Sequence, residues 1–245
     1  MQNNFIMYST KILKLFLPPI FIPNIFKESI ASILRDKDSI FLEKNSCYTR
    51  HAFILKSLTK FKKKNLKYLE IGVDNNQVFN CIYLKKNNKI GVDPVRGGGG
   101  GYRVTSDQFF KKNNIFFDVI FIDGYHEYYQ CQRDVLNSLK FLNSGGFILI
   151  HDCIPKNSYE EAMPPKQNTS TGNVWKVCVE LSRSSNIDFV IANTDSGVGI
   201  IRPKKNFVYK KVKNLKNLTF KDFVKKFYKK LPIVSSEEAL DFIDN

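Results

Sequence analysis

From residue 66 onward the chain alternates short apolar runs with stretches whose apolar positions recur every three or four residues. That alternation predicts βαβ units around a mainly parallel sheet. "LKYLEIG" (66–72) reads as a first strand, and "NNQVFNCIYLKK" after it puts Val78, Cys81 and Ile82 at helical spacing. "KIGVDP" (89–94) is a second strand, stopped by Pro94. "FFDVIFIDG" (116–124) is almost wholly apolar, the pattern of a strand covered on both faces. The helix after it places Tyr128, Cys131, Val135, Leu139 and Leu142 on one side, and "SGG" then turns the chain into a further buried strand, "FILIHD" (147–152). In "DFVIANTDSGVGIIRP" (188–203) two apolar runs flank Asp-Ser-Gly, which predicts an antiparallel hairpin. Farther on, Thr219 and Asp222 have capping-box spacing, and Phe220, Phe223, Val224, Phe227, Tyr228 and Leu231 follow on one helical stripe.

These patterns divide the chain into a mixed or helical N-terminal extension (1–60), an α/β domain (61–203) and a basic amphipathic helical extension (204–245). The apolar segment 12–26 is interrupted by Lys14, Pro18, Pro19 and Pro23. It falls short of the about 20 apolar residues a spanning helix needs, and the prolines break the helix a signal peptide prefers. It reads as packing on the domain, or as lying against a membrane surface or a partner.

The net charge of +15 is concentrated: between Lys204 and Lys230 there are eleven lysines and one acid, Asp222. Because the aromatics there lie on the inward stripe and do not alternate with lysines, the tail reads as a solvated helix face, and no specific nucleic-acid partner is expected. Together with the N-terminal segment it would also suit peripheral contact with an anionic membrane. The five cysteines are scattered and form no CxxC pair, which points to free thiols in a reducing, cytoplasmic setting.

Candidate chemistry lies at the strand ends. Four predicted strands finish in Glu70-Ile71-Gly72, Asp93-Pro94, Asp123-Gly124 and His151-Asp152. In an open parallel sheet that edge is the ligand crevice. Glu70 and Asp93 are separated by an interval close to the about 20 residues between a first βα turn and an acid that grips ribose hydroxyls. The series "YLEIGV", "KIGVDP", "TSDQFF", "FDVIFIDGYHEY" and "GGFILIHDC" resembles the class I S-adenosylmethionine-dependent methyltransferases, and more narrowly the sugar and small-molecule O-methyltransferases of the Methyltransferase-24 type. The resemblance runs from about Leu66 to Pro203.

It implies a Rossmann-like, doubly wound, mainly parallel seven-stranded sheet with an antiparallel C-terminal hairpin. It also implies S-adenosylmethionine as cofactor, with Glu70, Gly72, Asp93, Ser106, Asp107 and Asp123 around it. Asp93 would hold the ribose hydroxyls and Ser106-Asp107 the adenine edge. Where the family's first turn carries a second glycine, this chain reads Asp74-Asn75-Asn76, residue types that tolerate a left-handed backbone. The run Gly97 to Gly101 is then a flexible bridge over the adenosine pocket or a slack loop without contacts. Oligomeric state is left open.

Methyl transfer to oxygen requires a hydroxyl to be deprotonated and held in line. By the resemblance, Asp123 and Asp152 occupy the positions of metal-binding carboxylates, and His126 that of a catalytic base, with Asp123 beside it. The third ligand is left open by the resemblance: His151 is the candidate on the macrolide-sugar pattern and Cys153 takes the corresponding place on the catechol pattern. Oxygen ligands suggest magnesium, and the histidine leaves manganese or iron open. The polar stretch 154–175 is expected to form a loop over the acceptor, a sugar, glycan or related hydroxylated small molecule. Alternatives remain: Asp123 as a mere helix cap, a hydroxylase on the same scaffold, a nucleic-acid-modifying enzyme using the basic tail, or a non-catalytic interaction module.

Overall fold

A computed structural model of the chain describes Ile40, Leu42, Ser46 and residues 48–95, 101–167 and 169–245. The apolar segment 12–26 and Gly97 to Gly100 lie outside the described residues. The seven strands are β1 (Tyr68–Ile71), β2 (Lys89–Val92), β3 (Phe117–Ile122), β4 (Leu142–Ile150), β5 (Ser185–Ala192), β6 (Val198–Val208) and β7 (Ile233–Val234). They form one sheet in the order β2-β1-β3-β4-β6-β5-β7. β1 pairs in parallel with β2 and β3, β3 with β4, and β5 with β7, while β6 runs antiparallel to both β4 and β5. The α/β class, the parallel majority and the hairpin are those the sequence pattern implies.

Side chains alternate across this sheet, and the two faces collect different helices. Leu69, Ile71, Ile120, Ile122, Ile148 and Ile150 face a core shared with α4 (Tyr128–Lys140), α6 (Trp175–Leu181) and the helical run 220–230. Tyr68, Val119, Phe121, Phe147 and Leu149 face the other core, built with α1 (Arg50–Thr59), α2 (Gln77–Cys81) and α8 (Ser236–Asp244). The helices α3 (Ser106–Lys112) and α5 (Ser158–Glu161) follow β2 and β4.

Several elements depart from the sequence reading. α2 is a single short turn: Val78 is buried, Cys81 is exposed, and Ile82 leaves the helix in extended conformation yet is buried. Leu142 opens β4 and does not belong to the helix, and Ser144-Gly145-Gly146 lies inside that strand, where the register with β3 shifts between Phe117 and Val119. β6 runs on to Val208, into the stretch read as helical, and the chain beyond residue 230 contributes α8, within that helical reading, and β7, which the sequence reading did not include. The predicted amphipathic helix (220–230, α7) forms with its Thr219/Asp222 capping box, but as an α-turn over Phe220–Asp222, a π-turn over Phe223–Phe227 and a 3-10 turn over Tyr228–Lys230. The wide π-turn presents both Phe223 and Phe227 to Trp175, at ring-centroid separations of 4.9 and 5.7 Å. Lys221, Lys225, Lys226, Lys229 and Lys230 are exposed on its outer side.

Candidate active site

The strand order reverses between β1 and β3, so the crevice beyond their carboxyl ends is the topological switch point of the sheet. Gly72 follows β1 at that edge. Its φ is +85°, and a Cβ there would stand 2.0 Å from the carbonyl oxygen of Asp123, so only glycine lets the ends of β1 and β3 approach so closely. Asp74 and Asn76 adopt φ of 42° and 64°, and the first turn forms without its second glycine.

The residues expected around a cofactor fall into two groups. Asp93 ends β2, and its carboxylate accepts the amides of Asp74 (3.1 Å) and Val95 (2.8 Å), which ties the two turns together. Glu70 is buried on β1 and accepts a hydrogen bond from the Tyr68 hydroxyl at 2.6 Å. Burial pushes its carboxyl up to about 8, with Tyr68 opposing the shift and Asp123 adding to it. Ser106 and Asp107 open α3 and are held by α4: the Ser106 hydroxyl accepts from Gln130 Nε2 (3.1 Å), and Asp107 pairs with Arg133 (3.3 Å).

Asp123, His126, His151 and Asp152 come together beyond β3 and β4. His126 Nε2 lies 3.1 Å from Asp152 Oδ2 and 3.5 Å from Asp123 Oδ1. Its Nδ1 donates to the Ser170 carbonyl at 2.7 Å, which fixes the ring and turns Nε2 toward the carboxylates. Potential ligand atoms of Asp123, His126 and Asp152 all lie within 4.8 Å of one another. His151 Nδ1 also faces both carboxylates, 3.1 Å from Asp123 Oδ1 and 3.4 Å from Asp152 Oδ1. Asp152 is buried at a left-handed φ of 60°, a conformation that costs free energy for a non-glycine residue and clusters at functional sites.

The polar stretch after β4 grips this cluster from outside. Asn173 donates its amide to the His126 carbonyl (3.1 Å) and accepts the Tyr128 amide on its side chain (2.6 Å). Gly172 (φ +54°) passes so near that a Cβ would stand 2.1 Å from the His126 carbonyl oxygen.

Charge is balanced within the cluster. Burial disfavours the charge on His126, but the hydrogen bond to Asp123 and the field of Asp152 outweigh it and raise its pKa to about 9. His151 is likewise raised well above the ordinary histidine value: burial opposes the charge, and Asp123 and Asp152 overcome it. Asp123 is half-buried and desolvation would raise its carboxyl, yet the two imidazoles hold it well below the usual range.

Two participants carried no recognised signal in the sequence. Arg50, the first residue of α1, directs Nη1 at both oxygens of Asp195 (3.0 and 3.1 Å) and lies 3.8 Å from Asp123 through Nε. Asp195 sits in the β5–β6 turn at a φ of 48°, and its carbonyl accepts His151 Nε2 at 2.7 Å. The tight-turn spacing located the hairpin but not a role for its aspartate, and a lone arginine at the start of a helix announces nothing.

Comparison with known proteins adds a family. Residues 90–153 match the profile of a family described as a methyltransferase domain, of the Methyltransferase-24 type. No curated protein matches the chain. Among solved structures, an O-methyltransferase from Bacillus cereus in complex with SAH is similar at 13% identity over 78% of this chain and 97% of that chain, with a TM-score of 0.46. An SAH-bound methyltransferase from Podospora anserina is similar at 17% identity over 77% and 100% of the two chains, TM-score 0.46. A SAM-bound O-methyltransferase of tomaymycin synthesis from Streptomyces achromogenes is similar at 12% identity over 78% and 96%, TM-score 0.46. Scores of this size add nothing to the fold, which the strand order itself establishes. The segment that matches a methyltransferase domain of the Methyltransferase-24 type runs from β2 through Asp123 and His126 to Cys153, and so spans the crevice at the switch point of the sheet.

Proposed function

We propose that the protein transfers a methyl group from S-adenosylmethionine to a hydroxyl oxygen of a sugar, glycan or related hydroxylated small molecule, beside a divalent cation held by Asp123, His126 and Asp152. The observation that carries this reading is the convergence of two carboxylates and one imidazole within 4.8 Å at the carboxyl edge of the sheet. The donor set fits a divalent ion: the carboxylate oxygens suit magnesium, and the imidazole admits manganese or iron. When bound, such an ion lowers the pKa of an adjacent hydroxyl and orients its oxygen.

The chain's own residues prepare that step. Asp123 and Asp152 concentrate negative charge, and Ser170 and Asn173 fix His126 so that Nε2 points between them. In the ion-free protein a proton at Nε2, held with a pKa of about 9, occupies the place where positive charge is favoured. Nε2 within reach of both carboxylates lets His126 serve as a ligand beside them or as the general base, and either role requires the ring to give up that proton when the cation binds. His151 is placed as a further donor to the same carboxylates. On the cofactor side, Gly72 leaves the crevice floor clear. Asp93 at the end of β2 would take the ribose hydroxyls, and Glu70, Ser106, Asp107 and Asp123 would line the remainder.

The surface bears on partners and location. The lysines of α7 lie outward of buried Phe220 and Phe223, which supports a solvated face and no specific nucleic-acid partner. Among the described residues no helix is long and apolar enough to cross a membrane. The free thiols of Cys81, Cys131, Cys153 and Cys178 fit a reducing, cytoplasmic setting, with peripheral membrane contact through the basic tail.

Calorimetry with S-adenosylhomocysteine, followed by methyl transfer from labelled S-adenosylmethionine to a panel of sugars and phenols with and without EDTA, tests the reading. The cofactor product should bind, Asp93→Ala should weaken it by about 1.5–3 kcal/mol, and EDTA should suppress transfer while leaving binding intact. Absence of binding at millimolar concentration rejects the cofactor, and full transfer in excess EDTA rejects the cation.

A further inference from the structure

Arg50 and Asp195 stand 145 positions apart in sequence and meet at the rim of the cation cluster. The contact is built from several bonds. Asp195 Oδ2 accepts the backbone amide of Arg50 at 2.8 Å, so the hairpin turn caps the first turn of α1. Both Asp195 oxygens accept from Arg50 Nη1. The Asp195 carbonyl accepts His151 Nε2 at 2.7 Å, and Arg50 Nη1 stands 3.0 Å from the same nitrogen. A guanidinium cannot accept a hydrogen bond. The Nε2 proton therefore goes to the carbonyl, while Nη1 beside it is spent on the carboxylate.

Once Nε2 is engaged in this way, the opposite edge of the ring has one orientation. Nδ1 faces Asp123 and Asp152. His151 itself is buried, so it has little freedom to choose another. We infer that Arg50 and Asp195 are positioning residues: they lock His151 so that Nδ1 meets the two carboxylates at the cation site. The inference rests on the cation reading given above, and neither residue touches the ligand atoms of Asp152 or His126 itself.

Two physical accounts of Arg50 predict opposite signs. As a mere nearby charge, 3.8 Å from Asp123, it repels a cation, and its removal should tighten binding. As a positioning group its removal should weaken binding, because changes in residues that orient metal ligands cost about 10–100-fold in affinity. The experiment titrates Mn2+ into the full chain without cofactor, reading free Mn2+ by electron paramagnetic resonance, with melting temperature in EDTA as the control for folding.

Arg50→Ala and Asp195→Asn should each weaken Mn2+ binding about 10-fold or more. Arg50→Ala should cause no additional loss in a His151→Gln background, since the pair acts through that ring. If Arg50→Ala does not fold, Arg50→Lys carries the same test: it keeps the charge but not the guanidinium geometry, and should still weaken binding. Unchanged or tighter Mn2+ binding by the arginine variant overturns the inference, as does an equal loss in the His151→Gln background. A wild type that takes up no Mn2+ overturns the cation reading and this inference with it, whereas a wild type that binds beside an unaffected variant overturns this inference alone.

Discussion

Two carboxylate centres in this molecule are built on different principles. Glu180, on α6, is fully buried and accepts from the Tyr128 hydroxyl (2.9 Å), Gln132 Nε2 (2.5 Å), the Tyr209 hydroxyl (2.7 Å) and the Val212 amide (2.8 Å). All four partners are neutral donors, and they tie the segment after β6 to α4 and α6. Burial and the neighbouring Glu180 push both tyrosines well above their usual value, so these donors keep their protons at any physiological pH. Asp123 and Asp152 instead meet two imidazoles and an arginine, on a backbone that is left-handed at Asp152. A carboxylate saturated by neutral donors is a fastening. One matched by titratable partners on a strained backbone can exchange those partners for a ligand.

That contrast can be broken first at Glu180. Glu180→Ala leaves two hydroxyls, an amide and a side-chain amide without an acceptor, and should cost about 3–5 kcal/mol in urea unfolding. Mn2+ affinity in the folded fraction should be unchanged, and a parallel loss of ion binding would show the two centres to be coupled. Next comes Asp123→Asn. It should lower Mn2+ affinity by about 100-fold, roughly 2.7 kcal/mol, with a smaller loss of ion-free stability than Glu180→Ala, because the two imidazoles can discharge once the carboxylate is gone. A large stability loss with intact binding would make Asp123 the fastening.

Glu70 sharpens the comparison through pH. Its folded-state pKa of about 8 lies above the about 4.3 of an unfolded glutamate. Its protonated form therefore stabilises the fold fully below the unfolded value, and that contribution is lost as pH rises through about 8. Wild-type urea midpoints should fall between pH 5 and pH 8.5, and Glu70→Gln, which cannot ionise, should flatten that fall. An unchanged slope in the variant would assign the pH dependence elsewhere.

The strands were legible because each is a short apolar run between turn residues, and burial on both faces leaves little alternative. Asp123, His126, His151 and Asp152 were legible for a related reason: they terminate those runs, and a parallel sheet brings its strand ends to one edge. Asp74 and Asn76 were read as tolerating left-handed backbone, and they adopt it. Less was legible where packing overrides local pattern. The π-turn of α7 follows from fitting two phenylalanines to Trp175, a residue far away in sequence. β7 exists only because β5 offers it an edge.

The sequence by itself thus determined the α/β class, the strand ends and the residue types collected there, since apolar periodicity and strand-end position are local properties. Only the tertiary structure decided which of those residues come within 4.8 Å of one another, that Gly72 must clear the Asp123 carbonyl, and that Arg50 reaches Asp195 and His151. Those relations depend on distances between segments far apart in the chain, and such distances exist only after the helices have packed on the two faces of the sheet.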